Sequence, residues 1–398
     1  MNRKLLGTIA ASAALGIGIG LQRSQFAVLG ELMADQKWFL NSEIGILSGI
    51  SLIGYIVGCI HQGRIKNELK NIGTVRIGLA LAVLTFFIEP LINSTEWQMM
   101  WRFIAGWASA QLVTGIPGLG TRYHDIDEKR LSLAYIFAGA GLAALISSVL
   151  VSALASTAII GSWVITGMVA LVMAIPIHML LDVCIEEEIV SRERRNFSSA
   201  SETSSIVSGF IWTRGLRLLA VSTFFFGAAQ VTVLTYYPLL LVSKFNVSQA
   251  VAQSSFSNVG FGYMVGALVA GYMPKKLSTD LLMTLSASIG IVGSLLCSAG
   301  LNIPIVAFGG FGFAFWNGSM MGLLLHRINQ SVIPEQSRMV WSQFSLILSI
   351  GFLICIMASS SVANNHVVLI IWLGALLAAS HLVFQMLAKN AFASDSIS

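Results

Sequence analysis

Twelve apolar stretches, each close to the roughly 20 residues that a helix needs to cross a bilayer, leave this chain little choice of architecture. They fall at about 5–33, 43–61, 73–92, 97–119, 130–155 and 159–181, then at about 216–242, 249–272, 279–299, 303–325, 339–361 and 366–387. Hydrocarbon offers no partner to a bare N–H or C=O, so spanning elements are helices or closed barrels. Stretches this long and unbroken exceed barrel strands and lack their alternation. Only 10% of the residues are charged while 56% are hydrophobic, so the stretches face lipid rather than a water-soluble core. The predicted fold is all-α and integral to the membrane, with twelve transmembrane helices.

The charges gather between Asp182 and Arg217, where Glu186, Glu187, Glu188, Arg192, Glu193, Arg194 and Arg195 precede a Ser-rich run. This hinge divides the chain into an N-terminal six-helix bundle (1–181), a linker with the lead-in to the seventh helix (182–217), and a C-terminal six-helix bundle with a short tail (218–398). The halves share a repeat. Gly54-Tyr-Ile-Val-Gly58 in the second span returns as Gly262-Tyr-Met-Val-Gly266 in the eighth. Around it Gly20 and Gly227 precede Glu31-Leu-Met and Pro238-Leu-Leu, and Lys37 and Lys244 sit in the turns that follow. Two pseudo-symmetric six-helix bundles result, and such repeats mark secondary transporters.

Lys and Arg fix the orientation, because they accumulate on the cytoplasmic side. With the N-terminus inside, Arg3, Lys4, Arg64, Lys66, Lys70, Arg76, Arg122, Lys129, Arg130, the hinge arginines, Lys275, Lys276, Arg327, Arg338 and Lys389 are cytoplasmic, against Lys37 and Lys244 outside. Both termini are then cytoplasmic. That bias accounts for the net charge of +5, so no nucleic-acid partner is implied. Arg3 and Lys4 before an apolar run imitate a cleavable signal, but cleavage after Ala13 would remove half of the first span and spoil the six-plus-six count.

Several polar residues lie on otherwise apolar spans. Gly16, Gly20, Arg23, Ala27 and Gly30 share one face of the first span, beside Gln22 and Gln25. Small residues let helices approach closely, whereas Arg23 must be paired or line water, since an unpaired charge in hydrocarbon is costly. Thr223, Gly227, Gln230, Leu234 and Tyr237 form a similar stripe on the seventh span, as do Phe313, Asn317, Met320 and Leu324 on the tenth. The plain reading of these stripes is packing. Gln22, Arg23, Arg102, Gln111, Gln230, Tyr237 and Asn317 are the expected solute-binding residues, Glu31 and Glu89 the proton-coupling candidates, and Gly54 and Gly262 close-packing positions of the gate. Arg102 has a second reading, with its guanidinium reaching the interface. No phosphate loop or His-Glu-x-x-His is present, so neither ATP drive nor catalysis at a metal is implied, and no cofactor is expected. His61, His124, His326 and His381 are expected at the cytoplasmic ends of spans.

Trp101-Arg102-Phe-Ile-Ala-Gly106 in the fourth span and Gly58-Cys-Ile-His-Gln-Gly-Arg64-Ile-Lys66 after the second make the chain resemble the major facilitator superfamily. Arg23 with its following Leu-Met, the Gly-Tyr pair of span two and Gly139-Ala-Gly141-Leu resemble its bacterial YbfB/YjiJ-like branch. The chain departs from the superfamily in two places. The loop after span two lacks the usual acid, and span five lacks the Gly-Pro pair of antiporters. The resemblance implies a monomeric, multi-pass protein of the bacterial inner membrane. It would move a small-molecule substrate, anionic or zwitterionic by the arginines, through alternating access with possible proton coupling. The alternatives are proton-coupled efflux of hydrophobic compounds and a non-transporting sensor or lipid-handling protein on the same bundle. The topology is tested by single cysteines: Asn93→Cys and Gly300→Cys should react with an impermeant reagent in intact cells, while Ser199→Cys should not.

Overall fold

The computed structural model of the protein describes residues 2–40, 43–154, 159–198, 212–360 and 362–395. Among the described residues there are twelve long helical rods and no strand. The first six are α1 (Arg3–Leu15, continuing through Gly16–Leu21 and Gln22–Asp35), α2 (Ile44–Arg64), α3 (Glu68–Ile88), α4 (Thr95–Gly120), α5 (Ile126–Leu154) and α6 (Ile159–Ser198). The second six are α7 (Arg214–Leu234, resumed at Tyr237–Phe245), α8 (Gln249–Ser254 and Phe256–Tyr272), α9 (Thr279–Ala299), α10 (Ile303–Ser331), α11 (Pro334–Ser360) and α12 (Ala363–Asp395). Nine of them are apolar and long enough to cross a membrane. The other three are diluted by Gln98, Arg102 and Gln111 in α4, by a break at Ser255 in α8, and by glycines and Asn317 in α10.

Local chemistry sets the helix starts. Asn2, Asn67, Ser94, Thr213, Ser278 and Asn302 each stand just before a helix and accept an N–H of its first turn, which answers donors that have no partner within the helix. α9 ends at Gly300, whose φ of 53° lies in the left-handed region, with the Lys244 side chain packed against it. The Gly16–Leu21 stretch of α1 is π-helical. Its alternating glycines press on neighbouring backbone: a Cβ at Gly20 would lie 2.5 Å from the Ala140 carbonyl oxygen.

Glycine determines how the rods pack. A Cβ at Gly54 would meet the carbonyl oxygen of Phe103 at 2.1 Å, and one at Gly262 that of Phe311 at 2.7 Å. Gly54 to Gly262 and Phe103 to Phe311 are the same interval, so the repeat reproduces one α2–α4 contact as an α8–α10 contact. Gly20 on Ala140 likewise recurs as Gly227 on Leu348. These contacts lie inside one set of six helices or the other. Gly54 and Gly262 therefore join helices of the same set at backbone distance. The two sets meet where α5 crosses α8 and α2 crosses α11. At the first crossing a Cβ on Gly141 would lie 2.5 Å from the Met264 nitrogen.

α6 shows the lipid-facing side. Trp163, Thr166, Ala170, Ile177 and Leu181 are buried, while Val164, Met168, Val172, Ile175 and Met179 are exposed on the opposite face. Exposed apolar and buried polar residues are the arrangement hydrocarbon requires. The helix continues to Ser198, beyond the expected end at 181, because its charged run remains helical. Its 40 residues span about 60 Å at the usual rise, so it projects past the roughly 30 Å of hydrocarbon. The remainder of the expected linker, residues 199–211, lies outside the described residues. Ion pairs gather at the end bearing both termini: Arg3 with Glu187, Lys4 with Glu128 at 2.6 Å, Arg76 with Asp182, and Arg327 with Asp280 at 3.0 Å.

Gly54→Ala and Gly262→Ala should each lower the melting temperature of purified protein by several degrees, since backbone must move to admit the methyl group. Gly118→Ala has open space and should be neutral, or stabilising by up to about 1 kcal/mol.

Candidate functional site

Arg102 and Glu89 form the most deeply buried ion pair among the described residues. Nε of Arg102 donates to Oε1 of Glu89 and Nη2 to Oε2, both at 2.6 Å, with side chains 2% and 0% exposed. Glu89 is held there by a short 3-10 turn, Glu89–Leu91, that closes the end of α3. The Gln98 amide donates to its backbone carbonyl at 2.9 Å. Phe26 of α1 and Trp163 of α6 lie 4.4 Å and 5.4 Å from the guanidinium carbon. The planar fork of an arginine matches a carboxylate through two parallel hydrogen bonds, and aromatic faces add cation–π attraction. Its charge is answered inside the first six helices.

The amides are distributed differently. Nε2 of Gln22 donates to the Ala82 carbonyl at 2.8 Å and to Oγ1 of Thr85 at 2.7 Å, which ties α1 to α3. Nε2 of Gln111 donates to the Gly58 carbonyl at 3.2 Å, and Nδ2 of Asn317 to the Phe313 carbonyl at 3.0 Å. A carbonyl only accepts, so each of these amides must present its nitrogen there. Their oxygens remain buried without a hydrogen-bond partner among the described residues, as does the whole amide of Gln25. Gln230 is buried. Tyr237 is buried against Gly310, with the side chains of Asn258 and Ser255 near its hydroxyl. The backbone places Arg23 and Glu31 on α1 just beyond the π-helical stretch, and their side chains lie outside the described residues. The structure thus brings Arg102 and Glu89 together, and fixes Gln22 and Gln111 on neighbouring helices of their own set.

Sequence reading missed two features of this region. One is the π-helical stretch, signalled only by Gly16, Gly18 and Gly20 in alternation. Such bulges widen a turn and often occur at functional sites. The other is His381, expected at a span's end but found buried in α12 against Phe226 and Trp316. Its Nδ1 lies 2.8 Å from Oγ and 3.0 Å from the carbonyl oxygen of Ser222, and the carbonyl requires a proton on that nitrogen.

Polar contacts between the two sets concentrate toward the end bearing the termini. Trp341 Nε1 donates to the Val113 carbonyl at 3.0 Å, and Ser342 Oγ to the Cys59 carbonyl at 2.6 Å. Phe137 packs edge-on against Trp341, and Tyr135 bonds Tyr272 through their hydroxyls. Leu346 of α11 closes over Tyr55, Cys59, Ala110 and Val113. Trp341 and Ser342 join the sets side chain to backbone, and such hydrogen bonds can be exchanged for bonds to water.

A family model described as "Uncharacterised MFS-type transporter YbfB" matches residues 14–390. Among solved structures, the chain is similar to the Major Facilitator Superfamily transporter FucP in its outward conformation. The TM-score is 0.65 at 13% identity, over 96% of this chain and 98% of that one. A comparison with curated proteins finds no match.

The buried pair can be tested by substitution. Arg102→Ala or Glu89→Ala alone should destabilise the fold by about 3–5 kcal/mol, because each strands a buried charge. The double variant Arg102→Met/Glu89→Leu should recover most of that loss. Thermal unfolding in detergent reads the difference.

Proposed function

Because the chain belongs to the YbfB family of MFS-type transporters, we propose that it is a secondary active transporter of a small anionic or zwitterionic solute, working by alternating access between its two six-helix halves. In this reading both termini lie in the cytoplasm and the membrane is the bacterial inner membrane. The supporting observation is the Arg102–Glu89 pair. It answers the charge of Arg102 within the protein, and Arg23 is the arginine that would hold the solute. A guanidinium suits carboxylate or phosphate because it offers two parallel donors. Arg23 follows the glycine-lined π-helical stretch of α1, which packs against α4 and α5. Glu31, two helical turns further along α1, is the proton-coupling candidate, since both oxygens of Glu89 are bonded to Arg102.

Counterflow in proteoliposomes, run over a panel of small carboxylates, amino acids, phosphate esters and organic cations, tests this reading. Uptake of an anion or zwitterion should fall at least about tenfold in Arg23→Ala with folded yield retained, a loss in the range measured for charged hydrogen bonds. Arg23→Lys should rescue poorly. Full activity of Arg23→Ala, or a preference for cations, would remove the proposed role of Arg23.

A further inference from the structure

Each half has a cleft at the end bearing the termini, between the first turn of its first helix and the end of its sixth. In the N-terminal half Arg3, the first residue of α1, shares a cleft with Val183, Glu186, Glu187 and Val190 of α6. In the C-terminal half Arg214, the first residue of α7, shares one with Leu387, Asn390, Ala391 and Ser394 of α12, and Leu218 lines its apolar side. Both sets have the spacing i, i+3, i+4, i+7 that follows one side of a helix, so the two clefts are counterparts. Their charges differ. Glu187 pairs with Arg3 and accepts from the Tyr123 hydroxyl at 2.8 Å. α12 has Asn390 and Ala391 where α6 has Glu186 and Glu187, and no carboxylate lines this second cleft among the described residues. Arg217, one turn along α7, and Lys389, next to Asn390, are exposed cations at the same end.

We propose that the Arg214 cleft, about 210 Å³ in volume, binds the phosphate of an anionic phospholipid from the leaflet on that side. A guanidinium matches a phosphate through two parallel donors, and the side chains of Asn390 and Ser394 offer further donors. An amine-bearing headgroup would find no acid there, while Arg217 and Lys389 add to the attraction for a lipid of net negative charge. The seam between α7 and α12 suits the acyl chain. Leu387, Val383 and Val221 are exposed apolar residues along it, and the stacked rings of Phe225 and Phe384, 5.5 Å between centroids, close its inner end. Phe225 follows Arg214 by three helical turns, roughly 16 Å at the usual rise, which is close to half of the roughly 30 Å hydrocarbon core. Headgroup and chain therefore fall at the depths that a lipid of one leaflet occupies. The counterpart cleft is larger, about 790 Å³, but Glu186, Glu187 and Glu188 line it and would repel a phosphate.

The inference concerns a lipid rather than the transported solute, so it stands or falls separately from the role of Arg23. The full chain, purified in a neutral detergent, is titrated with phosphatidylglycerol, phosphatidylcholine or inorganic phosphate, and melting temperature and lipid adducts in native mass spectrometry are read. Phosphatidylglycerol should bind and raise the melting temperature, because a ligand of the folded state stabilises it. Phosphatidylcholine should raise it less, and inorganic phosphate, which lacks the chain, should leave it unchanged. Arg214→Ala should weaken phosphatidylglycerol binding at least about tenfold, the scale of a lost charged hydrogen bond, and Arg214→Lys should keep part of it. Asn390→Glu, which gives this cleft the acid that Glu186 gives the other, should also weaken it. Arg3→Ala and Lys276→Ala remove exposed cations elsewhere at the same end and should leave it unchanged. Undiminished phosphatidylglycerol binding in Arg214→Ala overturns the proposal, as does an equal loss in Lys276→Ala, which would mark a generally basic surface. Equal stabilisation by phosphatidylcholine or by phosphate alone overturns it too. Should Arg214→Ala not fold, Asn390→Glu decides it, because that side chain is exposed: weaker binding supports the lipid site, and unchanged binding overturns it.

Discussion

Helices already immersed in lipid gain little by burying apolar surface against each other, so their association depends on how closely their backbones can approach. In this protein that approach is set by glycine. Gly54 on Phe103 and Gly262 on Phe311 fix α2 against α4 and α8 against α10, and Gly20 on Ala140 and Gly227 on Leu348 do the same for α1 and α7. Because each contact is duplicated at nearly the same interval, the two halves become similar bodies. The crossings between them differ. α5 and α8 meet through Gly141 and Gly260 at backbone distance, whereas at the α2–α11 crossing a Cβ on Gly49 would still be 4.0 Å from Leu353 and one on Gly63 3.5 Å from Ser342. The first crossing is a close steric fit. The second is held more by hydrogen bonds from Trp341 and Ser342, which can be exchanged for water.

The spans and the repeat were legible in the sequence because both are linear patterns: apolar length for a helix in lipid, and Gly-Tyr-x-Val-Gly recurring at a fixed interval. Family and fold followed from them. The Arg102–Glu89 pair was not legible as a pair. Its members are separated by a turn and the first helical turns of α4, and their meeting depends on the 3-10 turn that directs Glu89 inward. Pro90, at the start of that turn, was the local signal. His381 was misplaced for a related reason. A histidine late in a span looks interfacial in sequence, but burial depends on which face of α12 meets α7 and α10, and the contacts with Ser222, Phe226 and Trp316 establish that only in three dimensions. The length of α6 was underestimated because hydropathy reports where lipid ends, while a helix continues as long as its residues favour it.

The same pair bears on how α1 is held. Phe26 lies under the Arg102 guanidinium at 4.4 Å, and Gln22 one turn earlier is bonded to Ala82 and Thr85 of α3. Beyond these anchors α1 is attached to a neutralised ion pair that has little reason to move, since separating its partners would expose two charges to hydrocarbon. Before them lies the π-helical stretch Gly16–Leu21, where α1 packs on Gly139 and Ala140 of α5 at backbone distance. α5 is also the helix that crosses α8 at Gly141.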